Sequence, residues 1–542
     1  MKRRAFLQSA TVAGAVPLLG PRGVNPAVHS PDTSNAMTHR GELDERSLDE
    51  LQLGMTRGDW TAERLVELYR AQVALRDAPR GGIHAVIEMN PDAEAIARDL
   101  DRERRAGFVR GPLHGIPVML KDNIDTGDRM QTTAGSLALV GAPAPRDAFL
   151  VERLRAAGAV VLGKTNLSEW ANFRSSRSSS GWSSRGGQTR NPHVLDRNPC
   201  GSSSGSGAAV AASLCAIAIG TETDGSIVCP ASANGVVGLK PTVGLWSRSG
   251  IIPISATQDT AGPMGRTVRD VATLLGALAG VDPRDPRTAE AVGHAHADYT
   301  RFLDPDGLRG RRIGVLRRAF GFHEAVDRLM EEALAAMRDA GAILVDPVEI
   351  NAPRGIGGLE GQLLRMEFKT GLDHYLAARG STVAVHSLRD VIAFNEAHAA
   401  RTMPYFGQET LLEAEAGQGT DEPGYAETRA RLLEGARRDG IDATLAKDRL
   451  YAIVAPTGGP AWVTDVLNGD HFGGGSSGHA ARAGYPNITV PAGQVHGLPV
   501  GISFFSTAWR EPELLGMAHA FEQHTHRRRP PQYLASLVTE GP

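Results

Sequence analysis

The sequence predicts an α/β fold. Two segments carry the same plan of helix, glycine and short apolar strand, one near 147–162 and one near 326–345. Glycine just past a helix is a common stop signal. An apolar triplet directly after it reads as a buried strand, so the pair is α/β grammar. A third observation agrees: Gly115 to Leu120 is an apolar run that delivers a lysine, Lys121, at its end.

The elements follow in order. Met1-Lys2-Arg3-Arg4-Ala5-Phe6-Leu7-Gln8 carries paired arginines, then an apolar stretch through Leu19. That order suits a twin-arginine export signal, too short and interrupted for a membrane span. Pro21 to Met37 reads as a disordered lead-in. Between Ser47 and about Leu75, leucines at helical spacing predict two short helices, the second capped by Asp59 or Thr61. Ala93, Ala95, Ile96 and Leu100 predict a helix near 91–105. Asp147 is expected to cap a helix that runs to Ala157 and stops at Gly158, before the strand Val160-Val161-Leu162. Ala208 to Ala218 reads as a small-residue helix. Val326, Leu329, Met330, Ala333, Leu334 and Met337 form a helical stripe ended by Gly341, with Ile343-Leu344-Val345 as the next buried strand. Residues 355–447 read as mostly helical. Pro486 to Gly493 and Val500 to Phe505 read as core strands.

Composition narrows the function. The 542 residues are 41% hydrophobic and 22% charged, with a formal net charge of −3. This balance suits a soluble globular chain and makes no electrostatic case for nucleic acid or a membrane surface. Three cysteines, Cys200, Cys215 and Cys229, are too few for a disulfide framework and read as small buried side chains. Trp170, Trp182, Trp246 and Trp462 read as core residues, and His114 has no nucleophile to pair with. No metal, nucleotide or organic cofactor is implied.

Chemistry concentrates in two glycine-serine segments. Cys200-Gly201-Ser202-Ser203-Ser204-Gly205-Ser206-Gly207 runs straight into an alanine-rich, core-like stretch, which a flexible linker would not do. It lacks the lysine after its last glycine that a phosphate loop needs. It therefore reads as a tight turn presenting hydroxyl and N–H groups. In Thr223-Asp224-Gly225-Ser226-Ile227, successive N–H groups can converge on one point, as a tetrahedral oxyanion requires; one such donor is worth about 3 kcal/mol. A serine hydroxyl needs a base, and Ser-Lys arrangements supply one without histidine. Lys121 qualifies if it is buried, because burial disfavours the charged amine.

These segments resemble the amidase signature family. Gly115 to Asn123 is similar to the family's lysine motif, Lys164-Thr165-Asn166-Leu167-Ser168-Glu169-Trp170 to the segment after it, and Cys200 to Gly207, Gly220 to Ala231 and Gly238-Leu239-Lys240-Pro241-Thr242 to the signature itself. The resemblance implies one compact α/β domain, a central mixed β-sheet covered by α-helices on both faces. It also implies a Ser-Ser-Lys triad: Ser226 as nucleophile, Ser202 as the bridge joined to Gly201 by a cis peptide, and Lys121 as terminal base. Thr223, Asp224, Gly225 and Ser226 would supply the oxyanion-hole N–H groups. The domain plan it suggests is an export segment over 1–30 and an amidase domain over 31–542. That domain has its signature core near 112–280, a helical middle near 323–447 and C-terminal strands and helices over 448–542. Cys200 replaces a usual glycine, Asp224 stands where many members have glycine, and Val228 replaces a frequent arginine. Glu222-Thr223-Asp224 and the run Ser175 to Ser184 look similar to secreted bacterial peptide amidases. The expected substrate is thus a peptide amide, with small aryl or acyl amides as the alternative and a catalytically silent binding protein as the rival of another class. The expected partner is substrate alone, with neither nucleic acid nor stable membrane insertion after export.

Overall fold

Among the described residues eleven strands build one mixed sheet, and the carboxyl ends of two of them meet at the candidate site. The computed structural model describes residues 37–537, apart from 39, 142, 381 and 382; the proposed export signal lies outside the described residues. The strands are β1 (Val86–Met89), β2 (Pro117–Lys121), β3 (Val160–Thr165), β4 (Trp182–Ser183), β5 (Gly187–Gln188), β6 (Ile217–Glu222), β7 (Val237–Lys240), β8 (Thr260–Gly265), β9 (Arg312–Val315), β10 (Ile343–Val345), β11 (Ala452–Pro456), β12 (Asn487–Val495) and β13 (Leu498–Phe505). β4 and β5 form a separate hairpin, and the large sheet runs β1-β3-β2-β6-β8-β7-β12-β13-β11-β9-β10. β3, β2 and β6 are mutually parallel, as are β11, β9 and β10, and the pairs between these groups are antiparallel. Apolar residues of the central strands and of the helices Ala62–Gln72, Val268–Leu278, Glu324–Asp339 and Glu511–Thr525 share one core.

Local signals explain most elements. Thr61 caps the second N-terminal helix through its side chain, which accepts from the Arg64 N–H, and all six residues of the 326–337 stripe are buried. Other readings are corrected. Asp147 does not cap the helix Phe149–Ala156, whose N-cap is Ala148; its carboxylate instead accepts from Gly127 N–H and Arg155. The small-residue helix starts earlier and stops sooner, at Ser204–Ala211. Ser213 then turns the chain with φ 54°, and Ile217, Ala218 and Ile219 become strand β6. Alanine suits either state, so burial in the sheet decided the outcome. β10 is an edge strand rather than a buried one, and Ile343 is exposed. Cys200 and Cys229 are joined in a disulfide rather than lying as independent thiols, while Cys215 is free and buried. Spacing alone could not show that pairing, because a helix and a strand lie between the two.

Gly205 fixes how closely the serine-rich helix docks. A Cβ there would sit 2.3 Å from the Ala85 carbonyl oxygen and 2.5 Å from that of Asn166. Backbone atoms flanking β1 and β3 cannot yield as a side chain could. Gly205→Ala is expected to destabilise the protein by about 1–3 kcal/mol, read as a lower midpoint in chemical denaturation. An unchanged midpoint would show that the helix can move.

Candidate active site

Three segments converge where β2 and β6 end side by side. β2 pairs β6 in parallel, with Leu120 opposite Ile219, so Lys121 emerges next to Thr221. Open α/β sheets offer binding sites at the carboxyl ends of their strands. Lys121 is fully buried. Its Nζ donates to Ser202 Oγ at 2.8 Å, to Thr221 Oγ1 at 2.8 Å and to the Thr221 carbonyl at 3.2 Å. Asn123 Nδ2 donates to the same Thr221 hydroxyl at 3.0 Å. Among the described residues no carboxylate hydrogen-bonds the amine. Burial therefore dominates and lowers the Lys121 pKa to about 7, against the weaker opposing pull of Asp259 and Glu222. An amine so placed can be neutral near pH 7 and accept a proton.

The serine-rich loop is an internally bonded scaffold. Ser203 Oγ donates to the Thr221 carbonyl and accepts from the Thr221 N–H, and the Ser203 N–H donates to the Ser226 carbonyl. Ser204 Oγ holds the Cys200 carbonyl at 2.7 Å, and Ser206 Oγ holds that of Ile219 at 3.1 Å. Ser202 is the member whose hydroxyl faces the lysine. The peptide bond between Gly201 and Ser202 is cis.

Ser226 sits in the turn after β6. Gly225 has φ 80°, a left-handed conformation in which glycine carries no Cβ penalty. Among the described residues, the N–H groups of Thr223, Asp224, Gly225 and Ser226 donate to no protein acceptor, while the next two are taken: Glu222 Oε2 accepts from Ile227 N–H at 2.8 Å and Val228 N–H at 3.1 Å. A buried carboxylate thus closes the turn and leaves four consecutive donors available for an oxyanion. Thr223 Oγ1 is tied to Asp259 and Asp224 to Ser477, each at 2.6 Å. The Ser226 residue is 8% exposed, whereas Ser202 and Lys121 are sealed. Its hydroxyl has no protein partner among the described residues. A cavity of about 320 Å³ opens beside Asn123, Thr221 and Thr223 and runs along Ile251 to Ile254 towards Gly371.

All the sequence-predicted site residues therefore meet in one place. Sequence reasoning missed Thr221, which holds the lysine, Glu222, which closes the turn, and the disulfide beside both serines. Thr221 and Glu222 stand within Gly220 to Ala231, a segment singled out in the sequence, so a signal was present without a role in the chemistry. Trp170, Trp182 and Trp246 are buried, and Trp246 donates to the Leu275 carbonyl. His114 is buried and bonds the Leu100 carbonyl. Among the described residues no acidic, histidine or cysteine cluster could hold a metal ion.

Comparison with known proteins shows the family. The family model described as Amidase matches residues 74–515. A probable amidase of Arabidopsis thaliana is 42% identical over 502 residues, covering 91% of this chain and 92% of that protein. The native peptide amidase of Stenotrophomonas maltophilia superposes with a TM-score of 0.86 at 53% identity, covering 90% of this chain and 99% of that one. An amidase family protein of Bacillus anthracis gives a TM-score of 0.82 at 37% identity, covering 90% and 93%. This chain, one α/β domain on a mixed sheet flanked by helices, belongs to the amidase signature family and is an amidase, a hydrolase of carboxamide bonds.

Proposed function

We propose that the enzyme removes the terminal amide of C-terminally amidated peptides, releasing ammonia, with Ser226 as nucleophile, Ser202 as bridge and Lys121 as base. The 2.8 Å contact of Lys121 with Ser202, beside a turn with four free N–H groups, carries the triad. Similarity to the Stenotrophomonas peptide amidase supports the substrate class.

Ser226 Oγ attacks the amide carbon as its proton passes to Ser202 Oγ, whose own proton passes to the neutral Lys121 amine. The carbonyl oxygen becomes an oxyanion and takes the N–H groups of residues 223–226. As the C–N bond breaks, the relay returns a proton to the nitrogen, which leaves as ammonia. Water then attacks the Ser226 ester, its proton passing through Ser202 to Lys121 and returning to Ser226 Oγ as the ester C–O bond breaks, and the peptide acid departs. Catalytic hydrogen bonds are often looser before substrate binds, so the Ser202–Ser226 link belongs to the substrate complex. The cavity beside Thr223 has a wall of Ile251, Ile252, Pro253 and Ile254. Its Asp259 and Glu367 carboxylates are taken up by neighbouring hydroxyl and N–H groups. That surface suits an uncharged side chain of the substrate.

Ammonia release from a short peptide amide, beside the same peptide acid and an aryl amide, tests this reading. Ammonia from the peptide amide with internal bonds intact is expected. Ser226→Ala and Lys121→Ala should each lower kcat by about 10⁴-fold or more without loss of fold. Turnover of the aryl amide alone would move the substrate class, and a fully active Ser226→Ala would remove the triad.

We also infer export by a twin-arginine route. The paired Arg3 and Arg4 ahead of an apolar stretch support it, as does the Cys200–Cys229 disulfide, since such bonds persist in oxidising compartments. Cell fractionation should find the enzyme outside the cytoplasm, and an Arg3→Lys/Arg4→Lys variant should stay inside. Equal distribution of the two would contradict export by this signal.

A further inference from the structure

We propose that the Cys200–Cys229 disulfide is a positioning element of the active site, holding the bridging serine in register with the nucleophile turn. The inference rests on the reading of Ser226 as nucleophile and Ser202 as bridge. Cys200 lies two residues before Ser202 and Cys229 three after Ser226. The ring that the bond closes, with a sequence separation of 29, therefore contains both serines, and the paired Cα atoms are 6.0 Å apart.

Hydrogen bonds from Ser203 and Ser206 tie the later part of the serine loop to β6, whereas the stretch around Ser202 has two ties that flank it. The Ser203 N–H donates to the Ser226 carbonyl at 3.1 Å, and Asn234 Nδ2 donates to the Pro199 carbonyl at 2.9 Å. The disulfide falls between them, next to Gly201. Cys200 itself has φ 58° and its N–H is held by Asn198 Oδ1, so a residue in an unusual conformation is pinned at both its backbone and its side chain. The global fold does not hang on the bond. The serine helix is docked by Ser206 and Gly205 against β6, β3 and the Asn166 carbonyl, and the turn is closed by Glu222. Loss of the bond should therefore loosen the two serines relative to each other while the sheet stays intact.

The chemistry of the bond is self-contained. Cys215 lies in the same ring but is fully buried, and burial pushes its thiol up to about 12. It is thus a poor attacking thiolate for exchange near neutral pH. Cys229 is half-buried and Cys200 4% exposed, so the Cys229 side is where a small reductant is expected to reach the bond. A water-soluble phosphine would break the S–S bond. Both sulfurs become thiols and the phosphine leaves as its oxide, with the oxygen and two protons supplied by water.

The test compares oxidised enzyme, phosphine-reduced enzyme and the double variant Cys200→Ser/Cys229→Ser. Thiol counting in denaturant should give one thiol before reduction and three after, from the three cysteines of the chain. Reduced and variant enzymes should keep their circular dichroism and show kcat lowered roughly tenfold to a hundredfold, the scale of a small misplacement of reacting groups, with KM little changed. Labelling of Ser226 by a fluorophosphonate, which needs no amide substrate, should slow by the same factor and recover on reoxidation. Unchanged kcat with three thiols counted would overturn the proposal, as would a loss of activity that only tracks unfolding. Three thiols counted before any reduction would mean that the bond does not form and would overturn the proposal. Failure of Ser226 to label in the oxidised enzyme would overturn the nucleophile assignment and this inference with it.

Discussion

Everything at this site depends on a lysine amine sealed from water among neutral oxygens. Lys121 Nζ meets a serine hydroxyl, a threonine hydroxyl and a carbonyl, all within 3.2 Å. A carboxylate in that position would keep the amine charged. Its two influential acids, Asp259 and Glu222, are held elsewhere by N–H and hydroxyl donors. The result is a base generated by burial, at a cost to stability that the surrounding core must offset. Because the folded pKa falls below the unfolded one, that cost is present in full below about pH 7. It fades as pH rises towards 10.5, so the linked contribution to stability increases with pH across that window.

The rest of the site serves geometry. Ser203 and Ser206 spend their hydroxyls on carbonyls of β6, and Ser204 spends its own on the Cys200 carbonyl within the loop. Glu222 removes two N–H groups from the turn and leaves the four before them free. This division explains why the loop is so rich in serine while only Ser202 faces the lysine. Of the three residues of the proposed triad, Ser226 alone keeps some exposure, 8%, while Ser202 and Lys121 are sealed.

Much of this was legible in the sequence. Lys121 at the end of an apolar run signalled burial, and the buried strand delivered it. Glycine next to Ser226 signalled a turn, and Gly225 has the left-handed φ of 80° that such a turn uses. Less legible were features set by tertiary contact. Asp147 sits where a cap belongs but is drawn to Arg155 and Gly127. The alanines after Ala211 have no preference strong enough to resist the sheet. Ile343 is apolar yet lies on an edge. The disulfide joins residues 29 apart across a helix and a strand, which no local pattern reveals. Lys164 and Lys240 are also fully buried, each satisfied by a backbone carbonyl, and their lowered pKa values follow from the same burial.

The ionisation of Lys121 tests the account most directly. The chain has only six lysines, so NMR titration of lysine-labelled enzyme, with Lys121→Met to assign the signal, can resolve it. The account predicts a midpoint at about 7 for Lys121 and a kcat/KM that rises with pH through the same midpoint, since only the neutral amine accepts the proton. A Lys121 signal that titrates near the ordinary lysine value of about 10.4, with activity already full at neutral pH, would contradict it.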